Sequence, residues 1–167
     1  MRTNGTRRVE HRGLTAVAAT AIAIGGYVHF CLYRRGYRAI PKIGTAFLLQ
    51  VLASVVVASA LLFFSGQRSL KLGRLTVRSS FLTEGIGWFL SLGTLAAFAV
   101  SRTPAGLLGF REGGLQPAPQ AIVTVVAELA ALVLLSVALI IDRRVAESVP
   151  FRPPLVQPGA VRRLARR

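Results

Sequence analysis

Residues 121–141 read AIVTVVAELAALVLLSVALII, and thirteen of these twenty-one residues are Leu, Ile or Val. An α-helix rises about 1.5 Å per residue, so about 20 apolar residues cross the hydrocarbon core of a bilayer. The stretch reads as a transmembrane helix. Working outward from it, residues 14–33, 44–65 and 84–101 also qualify by length and apolarity, the third being the weakest. The expected fold is therefore all-α: an integral membrane four-helix bundle over 14–141, preceded by a basic N-terminus (1–13) and followed by a basic, Pro-containing tail (142–167) expected to be disordered.

The composition supports this division. Hydrophobic residues make up 53% of the chain, mean hydropathy is +0.56, and the formal net charge is still +15. Such values are compatible only when apolar and basic residues are segregated, and here arginines cluster between long uncharged runs. A sequence pI near 11.9 suggests nucleic acid. The basic residues, however, lie beside apolar runs, where they orient a chain in the membrane and meet anionic headgroups. The expected partners are the lipid bilayer, its anionic lipids and other membrane protein subunits, and not nucleic acid. Arg34, Arg35, Arg162, Arg163, Arg166 and Arg167 are the candidate headgroup contacts. The predominance of arginine over lysine, nineteen to two, fits a GC-rich bacterial source.

The first apolar run is read as a retained span and not a signal peptide. It ends in Tyr27, His29, Phe30 and Tyr33, residues suited to a membrane interface and not to a small-residue cleavage site. The third run contains Gly85, Gly87, Ser91, Gly93 and Thr94, which permit close helix approach. The apolar residues 104–110 beyond it suggest that this helix continues past a kink. With both termini inside, fifteen Lys and Arg residues lie on the inner side and six on the outer. That bias predicts a multi-pass plasma-membrane protein, N-in and C-in, with the basic first loop as the dissenting feature.

Glu128 is the most informative residue within a span. A carboxylate there costs about 3 kcal/mol on insertion scales, against a return of about 0.3–0.6 for each Leu, Ile or Val. Thr124, Glu128 and Ser136 share a helix face, as do Gln50 and Ser54 in the second span. In the third span the small or polar face is Glu84, Gly87, Ser91, Thr94 and Ser101, and in the first it is Thr15, Ala18, Ile22, Gly25 and His29. With helices alternating in direction, His29, Gln50 and Glu128 fall in the same half of the membrane. Glu128, Gln50, His29, Thr124 and Ser54 therefore form the candidate ligand or proton site, with a polar plug that fixes helix register as the competing reading. Glu84 is read as a helix N-terminal carboxylate favoured by the dipole. The single cysteine, Cys31, excludes an internal disulfide, and His11 and His29 lie on opposite sides of the first span. No metal site, cofactor or familiar catalytic motif is expected.

The segments HFCLY (29–33), GYRAIPKIG (36–44), FLLQ (47–50) and GFRE (109–112), with Glu128 in the last span, resemble a group of uncharacterised small four-span membrane proteins of actinobacteria. The resemblance covers most of residues 14–141 and implies a fold without an activity. In size and span number the chain is also similar to DoxX-like membrane proteins, some of them linked to quinone or sulfur redox systems. The expected function is a non-enzymatic accessory or structural membrane component. The alternative is a small proton-coupled transporter or a lipid- or quinone-binding bundle that uses Glu128.

Overall fold

The structure, a computed structural model, describes residues 4–64, 69–72 and 75–147. Among them, four long helices dominate: α1 (Asn4–Arg34), α2 (Ile43–Phe63), α3 (Ser79–Ser101) and α4 (Gln120–Glu147). All four contain a stretch long and apolar enough to cross a membrane, so the chain is a multi-pass membrane protein built as an all-α bundle. A 3-10 turn (Tyr37–Ala39) lies between α1 and α2. An antiparallel hairpin joins α2 to α3, with β1 (Ser69–Leu72) and β2 (Leu75–Arg78) paired from Ser69↔Arg78 to Leu72↔Leu75. The end of the bundle carrying the 35–42 and 102–119 connections is called the upper end, and the end carrying the hairpin the lower end.

Helix α1 packs against both α2 and α4, while α3 packs against α4 and more loosely against α2. The core is built from small residues and a few larger ones: Ala18, Ala19 and Ile22 meet Val57, Ala58, Leu61, Ala131 and Leu135. Larger apolar side chains such as Leu49, Val56, Phe63, Phe89, Val126 and Val133 point outward. That distribution suits a lipid surround, where close packing and not apolar burial holds helices together. Glycine provides the closest approaches. A Cβ on Gly26 would lie 2.5 Å from Ser54 Cβ across the α1–α2 interface, and one on Gly87 would lie 3.0 Å from Leu135 Cδ1 across α3–α4.

The element ends differ from the sequence expectation in four places. Helix α1 begins at Asn4, so it includes ten residues assigned to a basic terminus. Helix α4 runs through Glu147, six residues past Ile141. Helix α3 starts at Ser79, which puts Glu84 in its second turn and not at its N-terminus. Helix α3 also ends at Ser101 without continuing past a kink. Pro104 disfavours helix at the preceding residue, and Gly106 (φ 67), Leu108 (φ 52) and Gly109 (φ 83) then take left-handed conformations that no right-handed helix accommodates. Residues 104–110 instead fold back, Leu107 and Phe110 exchanging backbone bonds of 2.8 Å. The expected disordered tail, with Arg162, Arg163, Arg166 and Arg167, falls on residues 148–167, outside the described residues.

Candidate functional site

A cavity of about 320 Å³ lies in the upper half of the bundle, between α2, α3 and α4. Its walls are mainly apolar, with Ile43 and Phe47 from α2 and Phe89, Leu90 and Phe98 from α3. The polar lining comes from His29, Gln50, Thr94, Ser101, Arg102, Glu112 and Thr124. Phe89 and Gly93 are both lining residues and exposed, so the cavity opens at the surface of the bundle beside α3.

The upper loops close over this space. Tyr37, on the 3-10 turn, stacks on Phe47 with ring centroids 4.8 Å apart and meets the edge of Phe110 at 5.8 Å. Its hydroxyl donates to Glu112 Oε1. Glu112 Oε2 in turn accepts from Arg102 Nη2 at 3.3 Å. Arg102 donates further to the carbonyls of Gln116 (2.6 Å) and Gly114 (3.0 Å), and its guanidinium lies 3.4 Å from the Phe98 ring centroid. One arginine at the end of α3 thus holds the whole 112–116 segment, and Tyr37 ties that segment to the first loop. Gly36 at φ 136 supplies the turn that admits Tyr37. Burial, followed by the hydrogen bond and negative charge of Glu112, pushes the Tyr37 phenol well above its ordinary value of 10.0, with Arg102 opposing the shift.

His29, Gln50 and Thr124 all face the cavity. The His29 ring is tilted against Phe47 at a centroid distance of 5.1 Å, and its Nδ1 lies 2.8 Å from the Gly25 carbonyl oxygen. A carbonyl only accepts, so Nδ1 carries the proton, and Nε2 of the neutral ring is left as an acceptor. Gln50 Nε2 and Thr124 Oγ1 are buried and have no hydrogen-bond partner. Leaving a buried polar atom unsatisfied costs about 1–3 kcal/mol, so both positions favour a polar ligand atom.

Glu128 and Ser54 do not line this space. Glu128 lies one turn below Thr124 on α4 and is fully buried. Gly25 of α1 lies against its carboxylate so closely that a Cβ there would be 2.7 Å from Oε1, and the Ser91 hydroxyl of α3 sits alongside. Ser54 is likewise fully buried, facing Gly26. Among the described residues no hydrogen bond links Gln50 to Glu128. The five candidate residues therefore divide into three on the cavity wall and two in the helix interfaces beneath it. Arg34 and Arg35 are exposed at the top of α1.

A second polar cluster lies at the lower end, and the sequence reading did not assemble it. His11 of α1, Glu84 of α3 and Asp142 of α4 are all buried. His11 Nε2 is 3.0 Å from Glu84 Oε1 and 3.5 Å from Asp142 Oδ1, and Ser80 Oγ donates to Asp142 Oδ2 at 2.6 Å. Glu84 accordingly takes part in an interhelical cluster and does not serve as a helix cap. The signal was present in the periodicity. His11 precedes Thr15, Ala18 and Ile22 on one face of α1, and Asp142 follows Leu135 and Ala138 on one face of α4. Extending each inward stripe by one turn brings the cluster into view.

No protein-family model, curated protein or solved structure matches this chain.

The raised Tyr37 phenol gives a pH dependence with a defined sign. A group whose folded pKa exceeds its unfolded value stabilises the fold fully below the unfolded value and loses that contribution as pH rises. The thermal midpoint of the purified protein should therefore decline as pH is raised above 10.0, the ordinary phenol value. In Tyr37→Phe this decline should be shallower. Identical high-pH profiles would show that the Tyr37–Glu112 contact does not hold the two loops together.

Proposed function

We propose that this chain is a non-enzymatic membrane component whose upper cavity holds a lipophilic molecule with a neutral, oxygen-bearing head, the chemistry of a quinone or a lipid ester. The observation that carries the reading is the pair of unpartnered buried groups, Gln50 Nε2 and Thr124 Oγ1, on the wall of an otherwise apolar cavity. A volume of about 320 Å³ falls within the roughly 300–1,000 Å³ typical of small-molecule sites. Gln50 offers an N–H to a carbonyl, Thr124 a hydroxyl, and His29 Nε2 an acceptor to a hydroxyl. The opening beside the exposed Phe89 and Gly93 supports entry from the lipid phase. In this reading Glu128 supports the helix interface behind the site and does not contact the ligand.

Gly93 allows a test that leaves the packing intact, because a Cβ there meets nothing within 4 Å. Protein extracted from its host membrane in mild detergent should retain a lipophile detectable by native mass spectrometry. Gly93→Phe should fill the mouth and remove that species while keeping the thermal midpoint. Retention by the variant at wild-type level, or no bound lipophile in the wild type, would contradict the proposal and leave a purely structural role.

We infer further that the lower end faces the cytoplasm, which puts the cavity in the outer half of the bilayer. The support is the excess of Lys and Arg in the N-terminal, hairpin and C-terminal segments over the two upper connections. Cytoplasmic reporters fused after Arg167 and at Gly73 should be active, and one at Gln116 inactive. The reverse pattern would invert the orientation.

A further inference from the structure

We propose that His11, Glu84 and Asp142 bind a divalent transition-metal ion of the Zn²⁺, Mn²⁺ or Fe²⁺ class at the lower end of the bundle. The site lies at the opposite end from the upper cavity and does not depend on the reading given to that cavity.

The geometry is that of a donor set. One ligand atom from each residue lies within 4.8 Å of the others, and the three residues come from three different helices. Donors bonded to a cation at about 2.1 Å are separated by about 3.0 Å in adjacent octahedral positions and about 3.4 Å in tetrahedral ones. The two edges from His11 Nε2 measure 3.0 Å to Glu84 Oε1 and 3.5 Å to Asp142 Oδ1, matching those separations. The third edge, between the Glu84 and Asp142 carboxylates, lies within 4.8 Å, a span that side-chain rotation can bring to ligand spacing around an ion.

The surroundings are also those of a metal site. Ser80 donates to Asp142 Oδ2 at 2.6 Å, which turns Oδ1 toward His11. A hydrogen bond of this kind to the non-ligating oxygen is how proteins orient a metal-binding carboxylate. Relative exposures of 8% for His11, 0% for Glu84 and 5% for Asp142 put the donors away from bulk water, where cation–carboxylate attraction is strengthened. One imidazole and two carboxylates, with no sulfur, suit borderline divalent ions better than Cu⁺, which seeks thiolates, or Ca²⁺, which seeks an all-oxygen cage. The three donors lie close to helix ends, within reach of the aqueous boundary. Helices α1 and α3 sit diagonally in the bundle and touch little elsewhere. The bound ion clamps this diagonal pair to α4.

The experiment uses the full chain purified in detergent without a polyhistidine tag and equilibrated with micromolar Zn²⁺, Mn²⁺ or Co²⁺. Elemental analysis should find one equivalent per chain, Co²⁺ should give a visible d–d spectrum, and a chelator should lower the thermal midpoint. Glu84→Gln and Asp142→Asn should each weaken binding about tenfold or more, while Glu10→Gln, on the exposed side of α1, should not. Absence of stoichiometric metal in the wild type overturns the proposal and leaves His11 as a bridge in an ion pair only. Binding that survives both carboxylate substitutions also overturns it. Should either variant fail to fold, pulsed EPR of Mn²⁺ bound to the wild type still decides. One coupled imidazole nitrogen supports the site, and none overturns it.

Discussion

The constraint on which the bundle depends is the enclosure of the Glu128 carboxylate. Lipid offers no hydrogen bonds and tolerates charge poorly, so a helix carrying a mid-span acid must turn it toward other helices. That single requirement sets the rotation of α4 about its axis. With Glu128 inward, Thr124, Ala131, Leu135 and Ala138 follow it into the interior at helical spacing, and Val126, Leu129 and Val133 face out. Helix α1 answers with Gly25, whose missing side chain leaves room for the carboxylate, and α3 with Ser91. The small residues of the core follow from the same demand, since bulky side chains would hold the helices too far apart to enclose the acid.

The two ends of the bundle settle their polar groups in different ways. At the lower end, side chains from three helices converge on one another and complete a cluster within the protein. At the upper end α2 and α3 are less tightly packed, and the space between them is roofed by the Tyr37–Glu112–Arg102 contacts. There the buried polar atoms of Gln50 and Thr124 face a cavity and not a neighbour. The lower end thus closes on itself through its side chains, whereas the upper end keeps an open space between its helices. The exposed mouth at Gly93 leads to the apolar surface of the bundle.

Much of the architecture could be read from the amino-acid sequence because membrane insertion is governed by runs of apolar residues, which are local. The four spans followed from such runs, and the inward faces of α1 and α4 from the spacing of Gly25 and His29 and of Thr124 and Glu128. What escaped depends on tertiary contact or on residues with weak local signals. Residues 4–13 are too polar to register as part of a span, yet they continue α1 as helix. Glu84 looked like a cap because five helical residues before it, beginning at Ser79, are also not part of an apolar run. The hairpin strands have four residues each, too short for a period to show. His11 and Asp142 lie just beyond the apolar runs, so their meeting with Glu84 shows only when the inward stripes of α1 and α4 are continued one turn past the span ends. His29 and Gln50 line one cavity, but depth in the membrane says nothing about which neighbour a side chain faces. Glu128 meets Gly25 and Ser91, whereas Gln50 meets the cavity.

A double-mutant cycle on thermal stability, using Gly25→Ala and Glu128→Ala, tests this account most directly. In the wild type the added Cβ would lie 2.7 Å from Glu128 Oε1, and the fully buried carboxylate has no solvent to swing into, so Gly25→Ala should be destabilising. In the Glu128→Ala background the obstructing oxygen is gone, and the same substitution should be neutral or stabilising, as expected for alanine replacing glycine within a helix. That non-additivity is the predicted result. Strict additivity, with Gly25→Ala costing the same in both backgrounds, would mean that α1 and α4 do not meet through this carboxylate and would contradict the account.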